Sequence, residues 1–241
     1  MNTYHEHNSN SSSNSGSQKN ASMTKTIIGA IAAIALIIFA ITAQSNATPA
    51  GVANIEVPPI TQADHVRGDL SAPVQVIEYS DLECPFCKDF HATMIDVFAK
   101  YGADNKIVWA YRHYPLEQLH QQAFTEALAS ECVAKEGGEA AFWKFVDNVF
   151  AVTKSNDGLD LKTLPTLAEA AGAPKLKFNT CMASKATEAL VREDMQSGSK
   201  AGIKGTPFSI VISPAGNKYT IEGAYPIAQV EATIEKALAD K

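Results

Sequence analysis

The stretch Val74-Gln75-Val76-Ile77-Glu78-Tyr79-Ser80-Asp81-Leu82-Glu83-Cys84-Pro85-Phe86-Cys87 decides how this chain is read. Its first six residues are β-rich and mostly apolar. Pro73 precedes them and Ser80-Asp81 follows, which predicts a central strand over 74–79. From Cys84 to Tyr101 the period changes, and Phe86, Phe90, Met94, Val97, Phe98 and Tyr101 recur mostly at steps of three and four, with Lys100 and Gly102 as a stop. The spacing predicts a helix over 84–101. The Cys84-Pro85-Phe86-Cys87 motif then occupies the first turn of a helix directly after a strand.

A cysteine in that position faces unpaired backbone N–H groups and the positive end of the helix dipole, and both favour thiolate over thiol. Pro85 suits the first helical position, where its missing N–H costs nothing. Cys87, one turn on, is close enough to close a small disulfide ring. Stabilising the thiolate stabilises the reduced pair, so the disulfide form tends to oxidise other thiols. Glu78 interrupts an otherwise apolar strand six positions before Cys84. A carboxyl there is at least partly buried, which raises its pKa and suits it to exchange a proton with the Cys87 thiol. Other readings stand beside these: Glu78 exposed at a strand end, a purely structural Cys84–Cys87 bridge, or half of a zinc site completed by Cys132 and Cys181. The wide gap between Cys132 and Cys181 counts against zinc, because structural zinc sites pair two short-spaced clusters.

Downstream, Lys106–Tyr111 predicts a second strand, parallel to the first across the helix. Helices are predicted over 117–135, 139–152, 161–171, 174–184 and 186–197, an all-helical insert with Phe142, Trp143, Phe145, Val149 and Phe150 as core. His91, His113 and His120 are read as packing or surface residues without a role. After Gly205-Thr206-Pro207, strands at 208–212 and 218–221 form an antiparallel hairpin, and a helix over 226–240 closes the chain. No phosphate loop or catalytic-triad pattern is present, and no cofactor or metal is expected.

Upstream, residues 1–26 are dominated by Asn and Ser and predict a disordered tail. Residues 27–43, IIGAIAAIALIIFAITA, carry no charge and span roughly 26 Å as a helix, close to a hydrocarbon core of about 30 Å. They predict a transmembrane anchor, or a signal helix cleaved near Ala47. Lys19 and Lys25 on its N-terminal side put the tail in the cytoplasm and the rest of the chain across the membrane. Residues 44–63 read as a linker and 64–241 as the exported domain, with the helical insert over about 116–202. The chain's net charge is −6, and Lys19, Lys25 and Glu6 fall before residue 48, so the exported part is more acidic still. Nothing basic suggests nucleic acid. All four cysteines lie in this part, in a compartment where disulfides persist.

The segments GDLSAPV at 68–74, YSDLECPFC at 79–87, RHYPL at 112–116 and IKGTPF at 203–208 together resemble the DsbA-like family of exported thiol–disulfide oxidoreductases, over roughly 64–241. The resemblance implies a thioredoxin-like α/β fold with an inserted helical domain. It also implies that Cys84 is the exposed nucleophile, Cys87 the resolving thiol, Glu78 the buried acid and Pro207, after Thr206, a cis-proline facing the active site. Relatives with this layout often join a pair placed like Cys132 and Cys181, which implies a structural disulfide; two free buried thiols are the alternative. The implied activity is oxidation of cysteine pairs in reduced exported proteins, with reoxidation by a membrane quinone-linked thiol oxidase. The alternatives are an isomerase or reductase kept reduced by a membrane donor, and a non-catalytic peptide-binding module. Two positions depart from the best-known strong oxidant. Phe86 stands in place of its histidine, so no side-chain charge at 86 supports the Cys84 thiolate. Thr206 also occurs in isomerase and reductase relatives, so it does not fix the direction of electron flow.

Overall fold

The computed structural model describes residues 55–241. The tail read over 1–26, the apolar segment 27–43 and the linker up to residue 54 lie outside the described residues. Among the described residues no helix is long and apolar enough to cross a membrane.

Five strands make one sheet among the described residues: β1 (His65–Arg67), β2 (Val74–Ser80), β3 (Ile107–His113), β4 (Phe208–Ile212) and β5 (Lys218–Glu222), in the order β1-β3-β2-β4-β5. β2 and β3 run parallel from Val74↔Ile107 to Ser80↔His113, joined by helix α1 (Pro85–Tyr101). The other neighbours are antiparallel. β2 is buried on both faces, as a central strand with a near-continuous apolar run must be. Val74 and Val76 pack with Phe90, Met94 and Val97 of α1, whereas Ile77 and Tyr79 pack with Ile203 and Ile210 on the other side.

Helices α2 (Ala123–Gly137), α3 (Glu139–Val152), α4 (Leu164–Ala171, after a short 3-10 turn), α5 (Lys175–Ser184) and α6 (Glu188–Lys200) lie between β3 and β4, and α7 (Ile227–Ala239) packs beside α1. A small cluster of Ala127, Leu128 and Val191, flanked by Phe124, Met182 and Met195, belongs to the insert alone, but most of the insert's apolar side chains share the core of the sheet. Phe142, Phe145, Val149 and Phe150 join one apolar cluster with Trp109, Tyr111 and Phe90. The Trp109 and Trp143 rings stand 4.9 Å apart, and those of Tyr111 and Phe142 5.8 Å. On the opposite face α6 approaches β2 through Gly198, where a Cβ would come within 2.7 Å of Tyr114 and 3.0 Å of Tyr79.

Three segments differ from the sequence expectation. α2 begins at Ala123 rather than 117, because the backbone N–H groups of Leu116 and Gln122 are taken by Asp81 Oδ2 and Asp157 Oδ1, each at 2.8 Å. These side chains hold 116–122 in turns instead of a first helical turn. β1 was not anticipated; it pairs His65–Arg67 against Trp109–Tyr111 and covers that edge of the sheet. Residues 55–63, expected to be linker, are docked: Ile55 is buried, Val57 and Ile60 pack on the β2 cluster, and the Pro58 and Pro59 carbonyls accept hydrogen bonds from Arg112.

Candidate active site

At the end of β2 the chain turns through Asp81, whose carbonyl accepts from the Cys84 N–H at 3.1 Å. Cys84 is extended (φ −77°, ψ 123°) and stands as the N-cap of α1, with Pro85 in the first turn and no acidic residue there to oppose an anionic sulfur. The helix therefore starts one residue later than predicted. Cys84 is only 4% exposed, less open than the resemblance implied, because the loop before β4 closes over it. Its Sγ lies 3.5 Å from the Thr206 carbonyl, and the Thr206–Pro207 peptide is cis. Phe86 is 62% exposed and shares no core with the sulfurs.

Cys84 and Cys87 are free thiols with opposite electrostatics. A hydrogen bond from the Cys87 thiol lowers the Cys84 pKa to about 6 against the cost of burial, helped by Thr206 and the N–H groups of Cys87 and Phe86. The support missing from the residue-86 side chain is thus supplied by backbone and by Cys87. Cys87 has no exposure, and burial first, then the neighbouring Cys84, pushes its thiol well above the ordinary value. The Asp81 N–H approaches Cys87 Sγ at 3.4 Å.

Glu78 is fully buried, and burial raises its carboxyl to about 7, against the opposing influence of the Ser80 hydroxyl and of a hydrogen bond from Trp109. Its Oε2 accepts from Trp109 Nε1 at 2.9 Å.

A family model described as Thioredoxin matches residues 61–236. The chain belongs to the thioredoxin family. Its fold is DsbA-like: it is similar to BdbD from Bacillus subtilis (TM-score 0.66, 24% identical, 78% of this chain and 100% of that one). It is likewise similar to DsbA2 from Pseudomonas aeruginosa (TM-score 0.62, 24% identical, 75% of this chain and 97% of that one). Among curated relatives, a Na(+)/H(+) antiporter NhaA 1 from Mycolicibacterium gilvum is 34% identical over 148 residues, 61% of this chain and 23% of the antiporter. This thioredoxin-family chain thus spans about a quarter of the length of the curated relatives it matches. The antiporter's activity stays with that protein.

In the thioredoxin-family domain, Cys132 of α2 and Cys181 of α5 are bonded to each other, Cα atoms 5.7 Å apart. Their sulfurs are therefore not free to complete a four-thiolate zinc site with Cys84 and Cys87. Among the described residues no group of three or more His, Cys, Asp or Glu side chains could hold a metal ion.

Near the pair, Asp81, Glu83 and Glu126 were not singled out from the sequence, and His120 was read there without a role. Asp81 Oδ2 accepts from His120 Nδ1 at 2.8 Å as well as from the Leu116 N–H, so one carboxylate fixes both the CxxC turn and the loop after β3. Burial works against the His120 imidazolium, but Asp81 and then Cys84 raise its pKa overall. Glu83, the residue before Cys84, is buried and accepts from Thr153 Oγ1 and the Gly158 N–H, and its carbonyl accepts from the Asn156 N–H at 2.8 Å. Glu126 faces it, raised to about 10 by burial and then by Glu83, and stays protonated at neutral pH. The signal for Asp81 and Glu83 was their place inside the motif; for His120 there was none.

Proposed function

We propose that this chain is an exported thiol–disulfide oxidoreductase that oxidises cysteine pairs of exported proteins through a Cys84–Cys87 redox disulfide. The observation that carries this reading is the split between the sulfurs, Cys84 pulled down to about 6 and Cys87 pushed well up. Near neutral pH such a pair has one sulfur ready to leave or attack as thiolate and one kept as thiol. A substrate thiolate attacks Cys84 Sγ of the disulfide, Cys87 departs and takes up a proton, and a mixed disulfide forms. The substrate's second thiolate attacks its own sulfur in that bond and releases Cys84 as thiolate. Reoxidation runs through a mixed disulfide at Cys84 with a partner, which Cys87 resolves after losing its proton. Glu78, raised to about 7, is the group that gives and takes that proton.

Thr206 and the cis Pro207 line the Cys84 side, where the extended substrate would lie. The apolar run 27–43 supports a single-pass anchor, or a signal helix, with the catalytic domain on the extracytoplasmic side. A membrane quinone-linked thiol oxidase is the partner that fits this location.

Titrating the full-length chain against glutathione buffers tests the redox role. The expected potential is clearly more oxidising than the roughly −300 mV below which structural disulfides lie. A couple as hard to reduce as a structural bridge would favour a binding module instead.

A further inference from the structure

Three buried polar atoms under Cys87 close no hydrogen bond of full geometry: Glu78 Oε1, Ser80 Oγ and Tyr111 Oη. Their arrangement follows from the sheet. Glu78 and Ser80 are two apart on β2 and share its face, and Tyr111 is the register partner of Glu78 on β3. Cys87 closes the group from above, tied to the end of β2 by the Asp81 N–H. All four residues are at most 1% exposed. Ser80 shares the β2 face with Glu78, and its hydroxyl works against the burial-raised pKa of Glu78 beside Trp109, of Cys87 beside Thr206, and of Tyr111. Of these side chains Glu78 and Cys87 are the two that must exchange a proton. A hydroxyl donates and accepts at once, so it can take a proton on one lone pair while releasing its own. Bonds that stay loose at rest and tighten during reaction are ordinary for such a relay.

We propose that Ser80 is the relay through which Cys87 and Glu78 exchange their proton. The inference rests on the reading of Glu78 given above and deepens it. When a mixed disulfide sits on Cys84, Ser80 Oγ accepts the Cys87 proton and passes its hydroxyl proton to the Glu78 carboxylate. The Cys87 thiolate then attacks Cys84 Sγ, forms the intramolecular disulfide and expels the partner sulfur as thiolate. The charged and titratable groups facing this path are Arg67 of β1, Tyr111 of β3, Asp81 of the turn and Cys84. Ser80 is a positioning residue; the reacting sulfurs are those of Cys84 and Cys87.

The test mixes the reduced full-length chain with saturating glutathione disulfide. Cys84 forms the glutathione adduct, Cys87 resolves it, and two glutathione thiols are released as the two cysteines are oxidised. Acid quenching and mass measurement follow decay of the adduct. At pH 6–8, Ser80→Ala should slow resolution about 10²-fold, Glu78→Gln equally, and the double variant no further. Ser80→Thr should restore most of the rate, and the gap should close at high pH, where solvent hydroxide deprotonates Cys87. A slow Glu78→Gln with a normal Ser80→Ala overturns the relay and leaves Glu78 in place; normal rates in both overturn the Glu78 reading and the relay with it. Losses that multiply in the double variant, without rescue by Thr, assign Ser80 to packing and also overturn the proposal. Should Ser80→Ala not fold, the unsubstituted chain in H2O/D2O mixtures decides: two protons in flight bow the rate downward with deuterium fraction, and a straight line contradicts the relay.

Discussion

Trp109 Nε1 donates to Glu78 Oε2 at 2.9 Å, while the other oxygen of the same buried carboxyl has only the neighbouring Ser80 hydroxyl, with which it closes no hydrogen bond of full geometry. The carboxylate is therefore satisfied on one side only, and desolvation keeps its pKa near 7 instead of 4.5. An acid whose folded pKa lies above its unfolded one binds more protons when folded, so stability falls as pH rises from about 4.5 to about 7 and stays lower above that.

The Glu78→Gln variant removes this penalty. In the reduced protein it should be more stable than the parent at pH 8, by on the order of 3 kcal/mol for a shift of this size, with the advantage shrinking as pH falls from about 7 towards about 4.5. Urea unfolding at pH 5 and pH 8 checks it. A difference that does not change with pH would mean the carboxyl is ionised at no cost.

The Cys132–Cys181 bridge ties α2 to α5 across a sequence separation of 49. Closing a loop of that length in the unfolded chain is worth about 4 kcal/mol on chain-entropy grounds. The Cys132→Ala/Cys181→Ala double variant should lose stability of this order in urea. The reactivity of Cys84 towards an alkylating probe should be unchanged, since the groups that lower its pKa are Cys87, Thr206 and Phe86. Equal unfolding midpoints would contradict a structural role.

The elements nearest the redox pair were the most legible in the sequence. β2 and α1 are written in local periodicity, and Pro85 after Cys84 marks the helix start. What could not be read depends on contacts distant in sequence. α2 loses its first turn because Asp81 and Asp157 each take a backbone N–H there, 35 residues away in both cases. β1 is three residues long, too short for any period, and exists because β3 offers an edge. Residues 55–63 look like linker because they carry Pro58 and Pro59 with little periodicity, yet the carbonyls of these prolines are what Arg112 needs. Glu78 was legible as a charge inside an apolar run. Ser80 was not, since a serine at a strand end usually begins a turn; its meaning comes from Tyr111 and Cys87, which the fold brings to the same face.

The central claim, that Cys84 attacks and Cys87 resolves, is tested most directly by trapping. The full-length chain is expressed in its own cells as the parent, as Cys87→Ala and as Cys84→Ala, thiols are blocked with acid and alkylating agent, and non-reducing gels report covalent adducts. Without Cys87 a mixed disulfide at Cys84 has lost its intramolecular exit. The account predicts abundant reductant-sensitive adducts on Cys87→Ala, few on the parent and few on Cys84→Ala. Adducts absent from Cys87→Ala, or equally abundant on Cys84→Ala, would contradict it.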